Sequence, residues 1–163
     1  MRPKSYHQPN KNASPNLVCY TVAMKLFVGA KGLIVNKDGK ILIVKEADQY
    51  IDGEGCCPGE WDLVGGRIEP EESLLEGLQR EVTEESGLTV TVGDLLGVAD
   101  NFPIMKGEKV HIVRVYYICT AENTNVTLSS DHDEYRWVLP TECDDLPLME
   151  NIVHMLKKYK TTL

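Results

Sequence analysis

Gly66-Arg67-Ile68-Glu69-Pro70-Glu71-Glu72 runs into Ser73-Leu74-Leu75-Glu76-Gly77-Leu78-Gln79-Arg80-Glu81-Val82-Thr83-Glu84-Glu85-Ser86-Gly87-Leu88. Ser73 followed three residues later by Glu76 has the form of a capping box, which predicts a helix opening at Ser73. Gly87 is the expected stop. Between these ends each residue turns the helix by about 100°. With Glu81 set at zero, Leu74, Leu78, Val82 and Leu75 fall at about 20°, 60°, 100° and 120°, and this is the predicted buried stripe. Glu85 falls at about 40° and Glu84 at about −60° on the same wheel. Glu76, Gln79, Arg80 and Thr83 take the opposite side.

Glu81 and Glu85 therefore lie among the apolar residues or at their edge. A half-buried carboxylate is costly unless something neutralises it, and two of them at i and i+4 repel. Oxygen-rich acidic clusters suit hard cations such as magnesium or manganese. The competing reading is a solvated acidic face, but the wheel puts these glutamates on the wrong side for it. Gly77 lies one turn before Glu81, and a glycine inside a helix costs roughly 1 kcal/mol against alanine. Close approach of a ligand or neighbouring backbone is one reason to keep it, and loose packing is the other.

Outward from this helix, strands dominate. Leu17 to Asn36 is rich in β-branched and apolar residues and predicts one or two strands. Asn36-Lys37-Asp38-Gly39-Lys40 reads as a hairpin turn, and Ile41 to Lys45 as the returning strand. An EF-hand reading of that turn fails because Ile34 occupies the first ligand position. Ala47 to Glu60 is a long glycine-containing loop of the kind that often carries function. Trp61–Val64, Leu88–Val98, Lys109–Thr120 and Tyr135–Leu139 are the expected further strands. Met149–Lys158 is the expected closing helix, with Ile152, Val153, Met155 and Leu156 apolar. A mixed sheet with helices packed on it, an α/β fold, follows from this order.

The chain has 163 residues, 42% hydrophobic and 26% charged, enough for one domain with its own core. Residues 1–16 read as a flexible polar tail and 17–163 as a single domain. The net charge of −8 argues against binding nucleic acid polymers. No apolar run is long enough to span a bilayer. The cysteines, an odd five without zinc spacing, and the lack of an apolar leader point to the cytoplasm. Cys56 and Cys57 in the long loop read as ordinary loop residues.

The segment from Gly66 to Leu88 is identified as a Nudix box, G-x5-E-x7-R-E-U-x-E-E-x-G-U with U a bulky apolar residue, and every fixed position is met. A chance match is on the order of one in ten million from average residue frequencies. Trp61-Asp62-Leu63-Val64-Gly65-Gly66 resembles the family's W-x-x-P-G-G approach, with Val64 in place of the usual proline. Asp131-His132 and Arg136-Trp137 resemble, more weakly, its late acidic loop and tryptophan strand.

The resemblance to the Nudix hydrolases (MutT-type pyrophosphohydrolases) implies an α/β/α sandwich with a mixed sheet, in which the box forms loop, helix and loop. It implies Mg2+ or Mn2+ held by Glu81, Glu84 and Glu85, with Glu72 as a further ligand or supporting contact and Gly66 bringing backbone to the metal or phosphate. Arg80 would hold a glutamate in place. The general base would be Glu81, Glu85, Asp131, Asp133 or Glu134. The implied reaction is hydrolysis of a diphosphate bond in a nucleoside diphosphate linked to another group. Nucleoside triphosphates are favoured. The alternatives are ADP-ribose or nucleotide-sugar hydrolysis, to which Pro103 would be relevant, and a non-catalytic nucleotide sensor. Arg114, in an apolar strand, wants either a substrate phosphate or an acid as partner. Phe102 either stacks on a base or packs. Asp131 is the third candidate substrate contact. The partner is a small nucleotide, with a homodimer compatible with the chain.

Overall fold

The computed structural model describes residues 24–47 and 59–163. The tail, Cys19 and the loop bearing Cys56 and Cys57 lie outside the described residues. Strands β1 (Leu26–Val35), β2 (Ile41–Glu46), β3 (Trp61–Asp62), β4 (Val90–Asn101), β5 (Ile104–Met105), β6 (Glu108–Lys109), β7 (His111–Ala121) and β8 (His132–Val138) alternate with helices α1 (Leu74–Ser86) and α2 (Glu150–Lys160). The main sheet runs β3-β2-β1-β7-β4, with β8 also paired to β2. Strand β7 lies parallel to β1, from Leu26 opposite His111 to Val35 opposite Thr120, and the other pairs are antiparallel.

Both faces of this mixed sheet are covered. On one, Leu33, Ile41, Ile43 and Tyr116 meet Ile152, Met155, Leu156 and Tyr159 of α2. On the other, Ala30, Ile34, Leu42 and Val44 meet Leu78 and Val82 of α1. Successive residues of β1 and β2 thus feed opposite cores, which is why Gly29 to Ile34 is one unbroken buried run. Each fully buried aliphatic side chain contributes about 1.5–3 kcal/mol of transfer free energy. The result is the expected α/β/α sandwich.

Helix α1 has the predicted ends. The Ser73 side chain accepts from the Glu76 N–H and the Glu76 side chain from the Ser73 N–H, and Gly87 adopts φ 68°. Gly77 is kept by close approach, since a Cβ there would come 2.5 Å from Ile68 Cδ1 and 2.7 Å from Glu72 Oε2. Leu75 departs from the wheel: it is 46% exposed. It sits in the first turn, before the helix reaches the sheet, and burial starts at Gly77 and Leu78.

Several boundaries also differ. Extended pairing after Trp61 stops at Asp62, and Val64 makes only a single bridge to Gly32. Strand β4 runs on to Asn101, because β7 keeps pairing with it as far as Ile112. Strand β8 begins at His132 and ends before Leu139, where a 3-10 turn, Pro140–Asp145, takes over. The β5–β6 hairpin was not legible. Its turn has positive φ at Lys106 (50°) and Gly107 (79°).

Strand β1 also pins the segment that enters the box. Gly32 N–H donates to the Val64 carbonyl (2.8 Å), Ala30 N–H to that of Gly66 (3.0 Å), and Ile68 N–H to that of Val28 (2.9 Å). Gly65, between these anchors, has φ 125°, and a Cβ on it would run into the Ala30 carbonyl oxygen. Gly65→Ala should therefore lower the melting temperature by roughly 5–15 °C, combining strain and overpacking. Gly87→Ala, where a Cβ would meet the Thr127 side chain at 3.2 Å and no backbone atom closer than 3.6 Å, should cost less, about 1–2 kcal/mol. Thermal denaturation of the two variants checks this, and equal losses would contradict it.

Candidate active site

The pinned segment meets α1 at two carboxylates. Gly65 N–H donates to Glu85 Oε2 at 2.8 Å. Gly66 backs directly onto Glu81: a Cβ on Gly66 would lie 2.5 Å from Glu81 Oε2. The adjacent glycines thus let the backbone touch both acids, which the helix presents one turn apart on its inner side.

Arg80 organises the neighbouring acids. Its Nε and Nη2 donate to the two Glu72 oxygens at 2.8 and 3.0 Å. Its Nη1 donates to Glu81 Oε1 (2.8 Å) and Glu84 Oε2 (3.0 Å), and Nη2 also reaches the Arg67 carbonyl (3.0 Å). Bidentate charge-assisted bonds of this kind fix orientation as well as energy. They hold the Glu72 carboxyl below its usual range, Arg80 contributing most, and hold the Arg80 guanidinium above its own.

Glu81, Glu85 and Gly66 line a cleft of about 750 Å3. Glu46, Asp62 and Lys31 form its floor. Asp62 joins the floor to the pinned segment: its Oδ2 pairs with Lys31 Nζ at 2.8 Å and its Oδ1 accepts from Leu63 N–H at 2.7 Å. His132, its side chain 2% exposed, sets Nε2 3.8 Å from Glu46 Oε1, and its Nδ1 has no partner. Burial alone would lower the Lys31 ammonium, but Asp62, Glu85 and Glu46 together hold it above its ordinary value. Burial drives the Glu85 carboxyl from 4.5 up to about 7, against the opposing pull of Lys31, His132 and the Gly65 N–H.

Of the residues singled out in the sequence, Glu81, Glu85, Gly66, Arg114 and Asp131 line the cleft, and Glu72, Arg80, Glu84 and Phe102 do not. Glu84, 59% exposed at the side chain, lies on the flank with Arg80. No three of the described Asp, Glu, His or Cys side chains close on a single point. Arg114 takes an amide partner, Nη1 donating to Asn101 Oδ1 at 2.8 Å. Phe102 packs instead, stacked on His111 with ring centroids 4.3 Å apart. Asp133 and Glu134 lie outside the cleft lining. Pro103 closes the base of the β5–β6 hairpin by accepting from Val110 N–H at 3.0 Å. The floor residues Lys31, Glu46 and Asp62 were missed as site residues, although a lone lysine in the apolar run of β1 is the same signal that marked Arg114.

The loop-helix-loop, the sandwich around it and the acid-lined cleft together define a hydrolase of the Nudix class. The NUDIX domain model matches residues 25–159, and the chain belongs to that family. It is 29% identical over 116 residues to the nucleoside triphosphatase NudI of Salmonella agona (strain SL483), covering 67% of this chain and 79% of that protein. Its fold is similar to that of the MutT protein from Methanosarcina mazei Go1 (TM-score 0.75, 25% identity, 87% of this chain and 98% of that one). It is also similar to the MutT NUDIX hydrolase from Burkholderia pseudomallei (TM-score 0.66, 28% identity, 82% and 98%).

Because the folded pKa of Glu85 is raised, its contribution to stability is present below about pH 4.5 and is lost as pH rises through about 7. In EDTA, Glu85→Gln should therefore melt about 3–6 °C above the wild type at pH 8, and the gap should close at pH 5. Thermal melts at both pH values check this, and a variant less stable at pH 8 would refute it.

Proposed function

We propose that this chain hydrolyses nucleoside triphosphates to the nucleoside monophosphate and pyrophosphate, using Mg2+ or Mn2+ held at Glu81 and Glu85. The observation that carries this reading is the pair of inward carboxylates, set against Gly66 and Gly65 at the wall of the cleft. A carboxylate whose pKa is driven up to about 7 by burial is short of positive charge, and the oxygen donor set suits a hard cation. The Gly66 carbonyl accepts from Ala30 N–H and keeps a second lone pair for such an ion. Glu72 and Glu84, held beside the cleft by Arg80, complete the acidic set that the box supplies. The similarity to relatives named as nucleoside triphosphatases supports this substrate class over ADP-ribose and nucleotide sugars.

A bound divalent cation would neutralise phosphate charge and lower the pKa of the attacking water. The chain's own groups do the rest. Arg80 fixes the Glu81 carboxylate through Nη1. Arg114, on the cleft wall, offers its guanidinium to a phosphate oxygen. Asp131 and Glu85 face the cleft as acceptors for the proton of the attacking water. A pure nucleotide sensor would bear the cost of burying these carboxylates without using them.

With Mg2+, the four common nucleoside triphosphates should each release monophosphate and pyrophosphate, and EDTA should stop the reaction. Glu81→Gln and Glu85→Gln should lose about 10^2- to 10^4-fold in turnover. Product analysis by ion-exchange chromatography decides it. Absence of turnover on every triphosphate, or full activity in both variants, would rule the reading out.

A further inference from the structure

The cleft has two chemically different ends. Phe27, Met105, Val110 and Ile112 wall one of them, and acids crowd the other. Glu46 and Asp62 are buried there, and Glu81 and Glu85 are half-buried. Among the described residues that line the cleft, Lys31 is the only buried cation. Arg80 serves Glu81 from the flank at 2.8 Å, and His132 stands beside Glu46. Lys31 is left to face Asp62, Glu85 and Glu46, which together hold its ammonium charged against the effect of burial.

The backbone explains how Lys31 comes to be there. Its neighbours Ala30 and Gly32 donate to the Gly66 and Val64 carbonyls. Lys31 therefore lies across from Gly65, so near that a Cβ on Gly65 would come 3.0 Å from Lys31 Cα. Gly65 in turn donates to Glu85 Oε2 at 2.8 Å. The ammonium ends on Asp62 Oδ2 at 2.8 Å, with the two side chains 10% and 3% exposed, and Asp62 Oδ1 accepts from Leu63 N–H. A lysine tied in this way cannot swing aside when a second cation enters. Stability alone gives little reason to keep the pair, since a buried ion pair is often no better than apolar residues of the same volume.

Resting on the reading of Glu81 and Glu85 as a divalent-cation site, we propose that Lys31 is the internal counter-cation of that site. It is a positioning residue: its charge keeps the acid-lined end assembled before a metal ion arrives, and then limits how tightly that ion is held. Removing the Lys31 charge alone adds one uncompensated negative charge beside the site, and removing the Asp62 charge alone takes one away. Removing both restores the original balance. A purely structural pair would change stability in these variants and leave metal affinity alone.

Mn2+ binding without nucleotide reads this directly, by paramagnetic resonance of the free ion in protein first stripped with EDTA and dialysed. Lys31→Met should bind Mn2+ about tenfold more tightly than the wild type and Asp62→Asn about tenfold more weakly. Lys31→Arg and the double variant Lys31→Met/Asp62→Asn should stay within about threefold of the wild type. Lys31→Met should also melt below the wild type without metal and gain more from saturating Mn2+. If it folds only with Mn2+ present, Asp62→Asn and the double variant still decide the matter. Affinities equal within about twofold across the series overturn the counter-cation role and leave the metal site standing. A wild type that binds no Mn2+, or a Glu81→Gln variant that binds it undiminished, removes the metal site itself.

Discussion

Everything at the cleft depends on how β1 holds the segment from Val64 to Ile68. Three backbone hydrogen bonds tie it to Val28, Ala30 and Gly32, and the ion pair between Lys31 and Asp62 locks its approach. A strand already buried on both faces cannot shift to accommodate this segment, so the segment must conform to it. That requirement selects glycine at Gly65, whose φ of 125° leaves no room for a side chain. It also selects glycine at Gly66, whose missing Cβ is the space filled by the Glu81 carboxylate. Val64, which departs from the W-x-x-P-G-G pattern, is fully buried in the α1-side core. Packing anchors the turn there in place of a ring constraint.

The charges around that segment form two systems with different duties. Arg80 gathers Glu72, Glu81 and Glu84 into a network on the helix flank, partly open to solvent, where bidentate geometry matters more than raw Coulomb energy. Beneath the cleft, Lys31, Glu46, Asp62 and His132 are nearly excluded from water, a setting in which unbalanced charge is expensive. Lys31 is committed to Asp62 at hydrogen-bond distance, so it balances Glu85 only at longer range, and burial still leaves that carboxyl titrating near 7. The two systems explain why acids of the same box differ so much. Glu72 is held down by a guanidinium in contact with it, and Glu85 is held up by burial that the Gly65 N–H bond does not offset.

Helix α1 was legible because its determinants are local. Ser73, Glu76 and Gly87 define its ends within a few residues of chain, and the 3.6-residue period alone assigns Glu81 and Glu85 inward. Leu75 escaped that logic because the wheel knows the helix's rotation but not where along its length the sheet begins. The sheet's strands were readable, and their ends were not, since an end depends on how far a partner continues: β4 runs to Asn101 because β7 is there to pair with it. Phe102 illustrates the same limit. Its ring finds His111, nine residues on in sequence but alongside it across the β4–β7 ladder. The buried charges beneath the cleft are the clearest case, because Lys31, Glu46, Asp62 and His132 come from four separate strands and share no sequence spacing.

The division of the cleft follows from the same architecture. The box is contiguous, so its acids must all enter from α1 and the turn before it, which confines its carboxylates to one end of the cleft. The opposite end is built from the start of β1, β7 and the β5–β6 hairpin, where the Arg67 contact with Phe27 reaches it from the box. Arg67 is thus the point where the two halves meet: its carbonyl accepts from Arg80 in the acidic network, while its side chain covers the ring at the apolar end. A change of reaction would have to disturb the pinned turn and with it the fold. A change at Phe27, Met105 or Ile112 leaves the pinned turn and its hydrogen bonds in place. In this architecture the carboxylates of the box are constrained by packing, while the apolar end of the cleft is free to vary beside them.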